Sequence, residues 1–206
     1  MSVDKPKFKE TLWEWCTFGN RVDSNIRRKI LRFPVRDDKS IKMQDHYLCR
    51  VGCDINIKIR EEDLKVKSFH NKTYAGIEQW TTEAYGFPIT AALFRSITKA
   101  LKIEIPGRAI KDGKQLVSIL SQAAPSVQVI RVQRRRELHG WPTGDGTTIE
   151  LVEISTPEKV ITISIEHRNL EKVSKALEYL QLPSPSMKVL NYVDSLKVWI
   201  EGKRLL

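Results

Sequence analysis

Two neighbouring segments of the chain carry cations at alternating positions. Lys58 and Arg60 alternate with isoleucines, and Lys65 and Lys67 alternate with aliphatic residues. Because side chains i and i+2 share one face of a strand, each segment predicts a β-strand with one apolar face and one cationic face. The short acidic turn at 61–63 predicts that the two strands pair as a hairpin. The four cations then form one patch.

A later segment repeats this alternation. In the predicted strand Ser126–His139, Arg134 and Arg136 share one face, and Arg131 and Arg135 share the other. An antiparallel sheet with one dry face and one wet face would explain alternation alone. Like charges opposite one another repel, however, so crowded cations favour a face that binds an anion.

The overall charge also favours an anionic ligand. The chain has 206 residues, 35 Lys plus Arg and 25 Asp plus Glu, which gives a net charge of +10. Such a balance suggests nucleic acid, an anionic membrane or a polyphosphorylated small molecule, although a general role in solubility would also explain it. No apolar run is long enough to span a membrane, and the N-terminus lacks a secretory signal. With three cysteines, we expect a reduced cytoplasmic protein without a membrane partner.

Several familiar chemical motifs are absent or incomplete. Cys49 and Cys53 form a single C-x₃-C without a second pair, and the four histidines fit no ligand spacing, so zinc is not indicated. The phosphate-binding loops G-x-x-x-x-G-K-[ST] and G-x-G-x-x-G do not occur, nor does the hydrolase motif G-x-S-x-G. The five tryptophans fit packing roles better than a platform for stacking bases.

Hydrophobic periodicity predicts a mixed α+β chain forming one domain, 1–206. Helices are expected at Val22–Arg32, after Pro88 through 103, within Ile110–Ala123, from an Asn169 cap through Leu182, and at Val189–Ile200. Residues Asp37–Ser40 are expected to form a solvated loop. Besides Ser126–His139, strands are expected at Thr11–Phe18, His46–Val51, Ile55–Arg60, Leu64–Phe69, Ile77–Ala84, Thr147–Ile154 and Lys159–Glu166.

The order of these segments resembles a known superfamily. NIKIR, LKVKSF, GIEQW, VQRRREL, TTIELVEI, TISIEHRN and LEYLQL follow one another as in the CYTH-like, or triphosphate tunnel, superfamily, in a divergent bacterial branch of uncertain function. The resemblance covers Trp13 to about Leu182. It implies a closed or nearly closed antiparallel β tunnel of about eight strands with helices packed outside. In that family, tunnel cations hold a triphosphate and tunnel carboxylates hold Mg²⁺ or Mn²⁺.

The resemblance carries over to individual residues unevenly. The family's cationic positions are retained. The resemblance and the strand alternation together imply a set of substrate-binding cations: Lys58, Arg60, Lys65, Lys67, Arg134 and Arg136. Three acidic positions of the family are occupied by Leu12, Val152 and Ser164. The remaining carboxylates imply Glu14 and Glu166 as catalytic residues and Glu14, Glu78, Glu150 and Glu166 as ligands of Mg²⁺ or Mn²⁺. Alternatively, Glu14 faces solvent and Glu166 caps the following helix.

The sequence leaves three functions open. The first is a metal-dependent phosphohydrolase acting on a triphosphate or inorganic polyphosphate. The second is a non-catalytic sensor or carrier of the same small polyphosphorylated ligands, which the missing carboxylates favour. The third is a basic nucleic-acid-binding protein, which is less favoured because no reading motif is present.

Overall fold

A computed structural model describes residues 4–36, 41–124, 126–142 and 144–206. The strands are β1 (Phe8–Gly19), β2 (Ile41–Cys49), β3 (Ile55–Arg60), β4 (Asp63–Lys72), β5 (Glu78–Gly86), β6 (Gln128–Gly140), β7 (Thr148–Thr156), β8 (Val160–His167) and β9 (Met187–Val189). The helices are α1 (Ser24–Ile30), α2 (Ala91–Ala100), α3 (Gly113–Ala123), α4 (Leu170–Leu180) and α5 (Tyr192–Ile200).

Eight of the strands form a closed barrel. Their order is β5-β4-β3-β2-β6-β7-β8-β1, all neighbours for which the register is described are antiparallel, and β1 also pairs with β5. Closure satisfies the backbone groups that an open sheet would leave exposed at its edges. The short strand β9 adds to the end of β1 at Thr17–Gly19. The predicted α+β fold, with a closed antiparallel barrel and helices packed around it, is confirmed.

The cationic hairpin forms as predicted, with its cations on one face. Lys58 lies opposite Lys65, and Asn56 lies opposite Lys67, in the β3–β4 pair. The alternate residues Ile57 and Ile59 are buried on the outer face. There they belong to an apolar core with the buried faces of α2 and α3. Strand alternation therefore directs the cations into the barrel and the isoleucines towards the helices.

A second outer core covers the opposite side of the barrel. Ile163 and Ile165 of β8 pack with the buried residues of α1 and α4, including Ile30 and Leu177. Helix α4 is capped as predicted, because the Asn169 side chain accepts a hydrogen bond from the Glu171 backbone N–H. Glu166 therefore does not cap this helix.

A third core lies inside the barrel at one end. The inward-facing residues there are apolar and pack against Leu196 of α5 and Leu205 near the C-terminus. Phe18 contacts both Tyr192 and Trp199 edge-on, with ring centroids 5.3 and 6.2 Å apart. The barrel interior is thus apolar at this end and polar at the other.

Some predicted boundaries were wrong. The helix predicted at Val189–Ile200 begins only at Tyr192, because Met187–Val189 pair with β1 as a strand. Helix α2 begins at Ala91 behind a Thr90 cap rather than directly after Pro88. Helix α1 covers only part of the range 22–32, and strand β2 begins five residues earlier than predicted. The predicted loop Asp37–Ser40 lies outside the described residues. No helix in the described ranges has the length and apolar character needed to cross a membrane.

Candidate functional site in the barrel lumen

The polar end of the barrel encloses a cavity of about 280 Å³. All six cations predicted to bind substrate line it, and they come from three strands: β3, β4 and β6. Three of the four predicted acidic residues line the same cavity. The members of this tunnel set are Lys58, Arg60, Lys65, Lys67, Arg134, Arg136, Glu14, Glu150 and Glu166. Strand alternation brings them together from positions up to 152 residues apart, counting from Glu14 to Glu166.

The Asp45 carboxylate forms ion pairs with three of the tunnel cations. Its side chain is fully buried and accepts two hydrogen bonds of 2.7 Å from Arg60, one to each carboxylate oxygen. Its Oδ2 also lies 3.3 Å from Arg134 Nη2 and 3.9 Å from Lys58 Nζ. We call Asp45, Lys58, Arg60 and Arg134 the Asp45 wall. It carries three cations for one carboxylate.

Electrostatics hold the Asp45 carboxyl group in its ionised form. Burial alone would raise the pKa of Asp45, but the Arg60 hydrogen bonds and the charges of Lys58 and Arg134 outweigh it and hold the pKa well below its usual range. Burial, together with the adjacent Arg60 charge, lowers the pKa of Lys58 well below its usual value. Lys58 is therefore the cation of this wall that an added anion would stabilise most.

The opposite side of the cavity is organised around Lys67. Its Nζ lies 2.6 Å from Glu14 Oε2 and 3.7 Å from Glu166 Oε1. Glu14 and Glu166 are directly opposed in the β1–β8 register. We call Glu14, Lys67 and Glu166 the Lys67 wall, which carries two carboxylates for one cation. Glu14 thus points into the lumen rather than into solvent.

The opposed carboxylates raise the proton affinity of this wall. Burial and the nearby Glu14 charge raise the pKa of Glu166 to about 7, against the opposing effect of Lys67. Burial alone would lower the pKa of Lys67, but Glu14 and Glu166 outweigh it and raise it above its usual value. A carboxyl group with a pKa near neutrality can hold or release a proton at physiological pH.

Glu150 and Arg136 form a pair between the two walls. Arg136 Nη1 donates a 3.1 Å hydrogen bond to Glu150 Oε1, and Glu150 Oε2 lies 3.5 Å from Ser164 Oγ. Burial would raise the pKa of Glu150, but Arg134 and Arg136 outweigh it and lower the pKa. Glu150 is therefore a charged partner of the cations.

Glu78 does not line the tunnel cavity with the other predicted acids, although it shares a small neighbouring pocket of about 40 Å³ with Glu14. It lies opposite Glu14 in the β1–β5 register, but its carboxylate accepts hydrogen bonds from Asn191 Nδ2 at 2.9 and 3.0 Å. Trp80 Nε1 donates a further bond of 3.0 Å, and Lys72 Nζ lies 2.9 Å away. These partners bind the Glu78 carboxylate beside α5 and leave it outside the tunnel set.

The tunnel set has an excess of positive charge. Its six cations face four carboxylates, those of Glu14, Asp45, Glu150 and Glu166, which leaves two positive charges when all are ionised. Glu10 also lines the cavity, but its carboxylate pairs with Arg168 at 2.8 Å. Lys65 has no hydrogen bond or ion pair to any described residue. Burial and the Arg60 charge lower its pKa.

A divalent metal could be held by part of this set. Within the described ranges, no three His, Cys, Asp or Glu side chains are arranged to hold a metal ion. Glu14 and Glu166 nevertheless offer two converging carboxylates. That number suits Mg²⁺, which commonly takes one or two carboxylates and completes its shell with waters and phosphates. Glu150 and Glu78 are engaged by Arg136 and Asn191.

The sequence analysis missed two residues that shape the cavity. Asp45 was not recognised because it is a single acid in a mixed strand, and its three cationic partners come from β3 and β6. Tyr192 was also missed, although it lines the cavity and accepts a 3.4 Å hydrogen bond from Arg134 Nη1. Tyr192 is the first residue of α5, and nothing in the helical pattern of that segment indicates that its side chain enters the barrel.

Comparisons with known proteins support the fold. No family model matches the chain, and no curated protein matches it in sequence. A conserved hypothetical protein from Pyrococcus furiosus is similar in structure, with a TM-score of 0.53 and 12% identity over 87% of this chain and 98% of that one. The PH1012 protein from Pyrococcus horikoshii OT3 has a TM-score of 0.52 and 14% identity, over 87% and 97%. At such identities the likeness shows the fold alone.

A further solved structure is less similar. HpAC1 from Hippeastrum is described as having a dominant triphosphatase activity. Its TM-score is 0.48 and its identity 11%, over 95% of this chain and 98% of that one. At this TM-score the likeness carries no argument about this chain.

Proposed function

We propose that the barrel binds the phosphates of a triphosphate or longer polyphosphate ligand, as the resemblance to the triphosphate tunnel superfamily implies. The observation that carries this proposal is the convergence of six cationic side chains on one cavity, where they outnumber the four carboxylates. Cations held at fixed positions favour an anion that carries several linked charges, because one ligand can form several charge-assisted hydrogen bonds at once. The protein side chains are already ordered, so each further bond costs little additional conformational entropy.

The size and enclosure of the cavity favour a small ligand over a nucleic-acid duplex. The cations lie inside a closed eight-stranded barrel, around a polar cavity of only about 280 Å³. The tunnel set cannot meet a duplex surface from inside the barrel. Of the three functions left open by the sequence, the two that bind a small polyphosphorylated ligand therefore have more support than nucleic-acid binding.

Ligand-induced thermal stabilisation tests this proposal. Tripolyphosphate should raise the melting temperature much more than orthophosphate at the same concentration, because only the longer anion reaches several cations at once. Arg60→Ala should weaken tripolyphosphate binding roughly 10- to 100-fold, measured by titration calorimetry. Arg28→Ala removes the same charge from an exposed site on α1 and serves as the matched control. Equal shifts from both anions, or equal losses in both variants, would contradict the proposal.

Hydrolysis of the bound ligand is a second candidate, favoured by the opposed carboxylates of the Lys67 wall. In this candidate Glu14 and Glu166 would hold Mg²⁺ or Mn²⁺, and the ion would supply positive charge that stabilises the phosphates. The Asp45 wall would orient the phosphate chain, and Glu166 would accept a proton from the attacking water when it is not bound to the ion. As the water oxygen bonds to the terminal phosphorus, the P–O bond to the remaining chain would break, releasing orthophosphate and the shortened chain. Three family acids are replaced here by Leu12, Val152 and Ser164, which favours a sensor or carrier instead.

Phosphate release separates the enzyme from the carrier. Under the enzyme hypothesis, wild-type protein releases phosphate from tripolyphosphate with Mg²⁺ or Mn²⁺. Glu14→Gln then abolishes release while binding without metal persists, because the cations remain in place. Binding without release by the wild type, across neutral to alkaline pH, would establish the carrier.

A further inference from the structure

The segment that contains α1 concentrates positive charge on the outside of the barrel. Residues 20–36 carry six cations and one acid, which is a net charge of +5 out of +10 for the whole chain. The cations are Arg21, Arg27, Arg28, Lys29, Arg32 and Arg36. Residues 37–40 lie outside the described part, and with their two acids and one lysine the sequence 20–40 still has a net charge of +4.

These six cations have no carboxylate partner among the residues that the structure describes. The acid of the segment, Asp23, caps α1 and accepts hydrogen bonds from two backbone N–H groups. By contrast, Lys175 on the neighbouring helix α4 lies 2.7 Å from Glu171. Arg28 and Arg32 lie one turn apart on α1, where like charges repel. Contact with an anion would relieve this repulsion.

Apolar side chains are exposed among these cations. Helix α1 turns its two buried isoleucines into the core, which leaves Arg28, Leu31 and Arg32 on the solvent side. Leu31 is 51% exposed, and Val35, four residues further on, is 52% exposed. One exposed apolar side chain needs no explanation, but apolar side chains that share a surface with unpaired cations are typical of sites that contact another molecule.

Tyr179 of α4 adds an aromatic side chain to the same surface. Lys29 Nζ donates a 2.7 Å hydrogen bond to the Tyr179 backbone carbonyl, which joins the ends of the two helices. Tyr179 is 47% exposed, and Lys29 Nζ lies 5.3 Å from the centroid of its ring. A cation therefore occupies one face of the ring. We call the following residues the α1 surface: Arg28, Leu31, Arg32, Val35, Arg36 and Tyr179.

The composition of the α1 surface favours a lipid bilayer over a nucleic acid. Both partners present phosphates, which arginine binds by charge-assisted hydrogen bonds. A nucleic acid bound without sequence preference also stacks its bases on open aromatic faces. Here Lys29 covers one face of Tyr179, and the other exposed apolar side chains, Leu31 and Val35, are aliphatic. Aliphatic side chains enter the acyl boundary of a membrane favourably, and tyrosine favours the headgroup level.

We propose that the α1 surface binds a bilayer that contains anionic phospholipids. Its arginines contact the headgroup phosphates, and Leu31, Val35 and Tyr179 insert at the headgroup level. The expectation of no membrane partner rested on the lack of a spanning segment and of a secretory signal, and contact with a bilayer surface needs neither. This inference does not depend on the proposed function, because the α1 surface shares no residue with the tunnel set.

Co-sedimentation with vesicles tests the proposal. Phosphatidylcholine vesicles that contain about 30% phosphatidylserine should bind the protein at least roughly tenfold more tightly than vesicles of phosphatidylcholine alone, because cations gain free energy near an anionic leaflet. Raising NaCl from about 0.1 M to about 1 M should weaken this binding, since the Debye length falls from about 10 Å to about 3 Å. Equal binding to both kinds of vesicle, or binding to neither, would overturn the proposal.

A pair of arginine substitutions locates the electrostatic contact. Arg28→Gln with Arg32→Gln should weaken binding to the anionic vesicles roughly 10- to 30-fold. Lys111→Gln with Lys114→Gln removes the same charge from exposed positions around the start of α3, on the opposite side of the barrel, and is the matched control. Equal losses in the two variants would mean that net charge alone attracts the protein, and the α1 surface would not be the site.

A pair of apolar substitutions separates a bilayer from a nucleic acid. Leu31→Ser with Val35→Ser keeps every cation and should weaken vesicle binding roughly 5- to 20-fold. Val51→Ser, at a position that is 63% exposed, is the control and should have no effect. Vesicle binding that is unchanged in the apolar pair, or a single-stranded RNA that binds more tightly than the vesicles and is lost in the arginine pair, would overturn the lipid partner. Both pairs should keep the tripolyphosphate affinity of the wild type, so failure of this inference would leave the proposed function intact.

Discussion

The two walls of the tunnel have opposite charge ratios. The Asp45 wall places three cations around one buried carboxylate, and the Lys67 wall places two carboxylates around one cation. Burial alone would raise the pKa of the carboxyl groups in both walls. The pKa of Asp45 is nevertheless lowered, whereas that of Glu166 is raised to about 7. Neighbouring charges therefore decide the protonation of these acids, and the tunnel has one side suited to an anion and another suited to a proton or cation.

Replacing Asp45 should have the largest effect on the free energy of unfolding. Asp45→Asn leaves Lys58, Arg60 and Arg134 buried without their carboxylate, which should lower the free energy of unfolding by about 3–5 kcal/mol. Urea denaturation measures the change. Tripolyphosphate should restore part of the lost stability, because it supplies negative charge to the same cations.

An exposed ion pair provides the control for this variant. Asp54 pairs with Lys197 at 2.6 Å, but its side chain is 78% exposed. Asp54→Asn should therefore cost less than about 1 kcal/mol. If Asp45→Asn were no more damaging than Asp54→Asn, the Asp45 wall would not be the structural anchor described above.

The Lys67 wall should make stability depend on pH near neutrality. Glu166 has an ordinary pKa of 4.5 and a folded-state pKa of about 7. Between these values the unfolded chain releases a proton that the folded chain retains, so stability falls as pH rises through this window and then levels off. The total loss should be about 1–3 kcal/mol.

Glu166→Gln should remove this dependence. The variant resembles the protonated carboxyl, so it should match the wild type near pH 4.5 and exceed its stability above pH 7. Urea denaturation at a series of pH values gives both curves. Glu171→Gln, at an exposed position in the first turn of α4, controls for the change in net charge. Parallel curves for wild type and Glu166→Gln would contradict the assignment of the raised pKa.

Lys65 should show the smallest effect on stability. No described residue forms an ion pair with it, so Lys65→Met should change the free energy of unfolding by less than about 0.5 kcal/mol. The loss of one tunnel cation should still weaken tripolyphosphate binding by roughly 5- to 10-fold. If Lys65→Met lowered the free energy of unfolding as much as the free energy of binding, Lys65 would stabilise the fold and would not bind the ligand.

Local patterns in the sequence were sufficient to predict the inward and outward faces of the strands. The alternation around Lys58 and Lys65 depends only on neighbours two residues apart, and the short turn determines their pairing. The distribution of partners could not be predicted in this way. Glu78 is held by Asn191, 113 residues later, and Asp45 binds cations from two other strands. Such contacts depend on barrel closure, which no local pattern specifies.

Strand β1 has consequences for how the chain folds. It pairs with β5, β8 and β9, and Thr17 is hydrogen-bonded to Lys188, which lies 171 residues further along the chain. Strand β1 precedes all of its strand partners in the chain, so it lacks a partner until β5 has been synthesised, and β8 and β9 follow later still. Contacts of such long sequence separation slow folding, because the entropy of loop closure must be overcome before they form. Barrel closure is therefore expected only after β8 has been synthesised, with the amphipathic β1 exposed to chaperones until then.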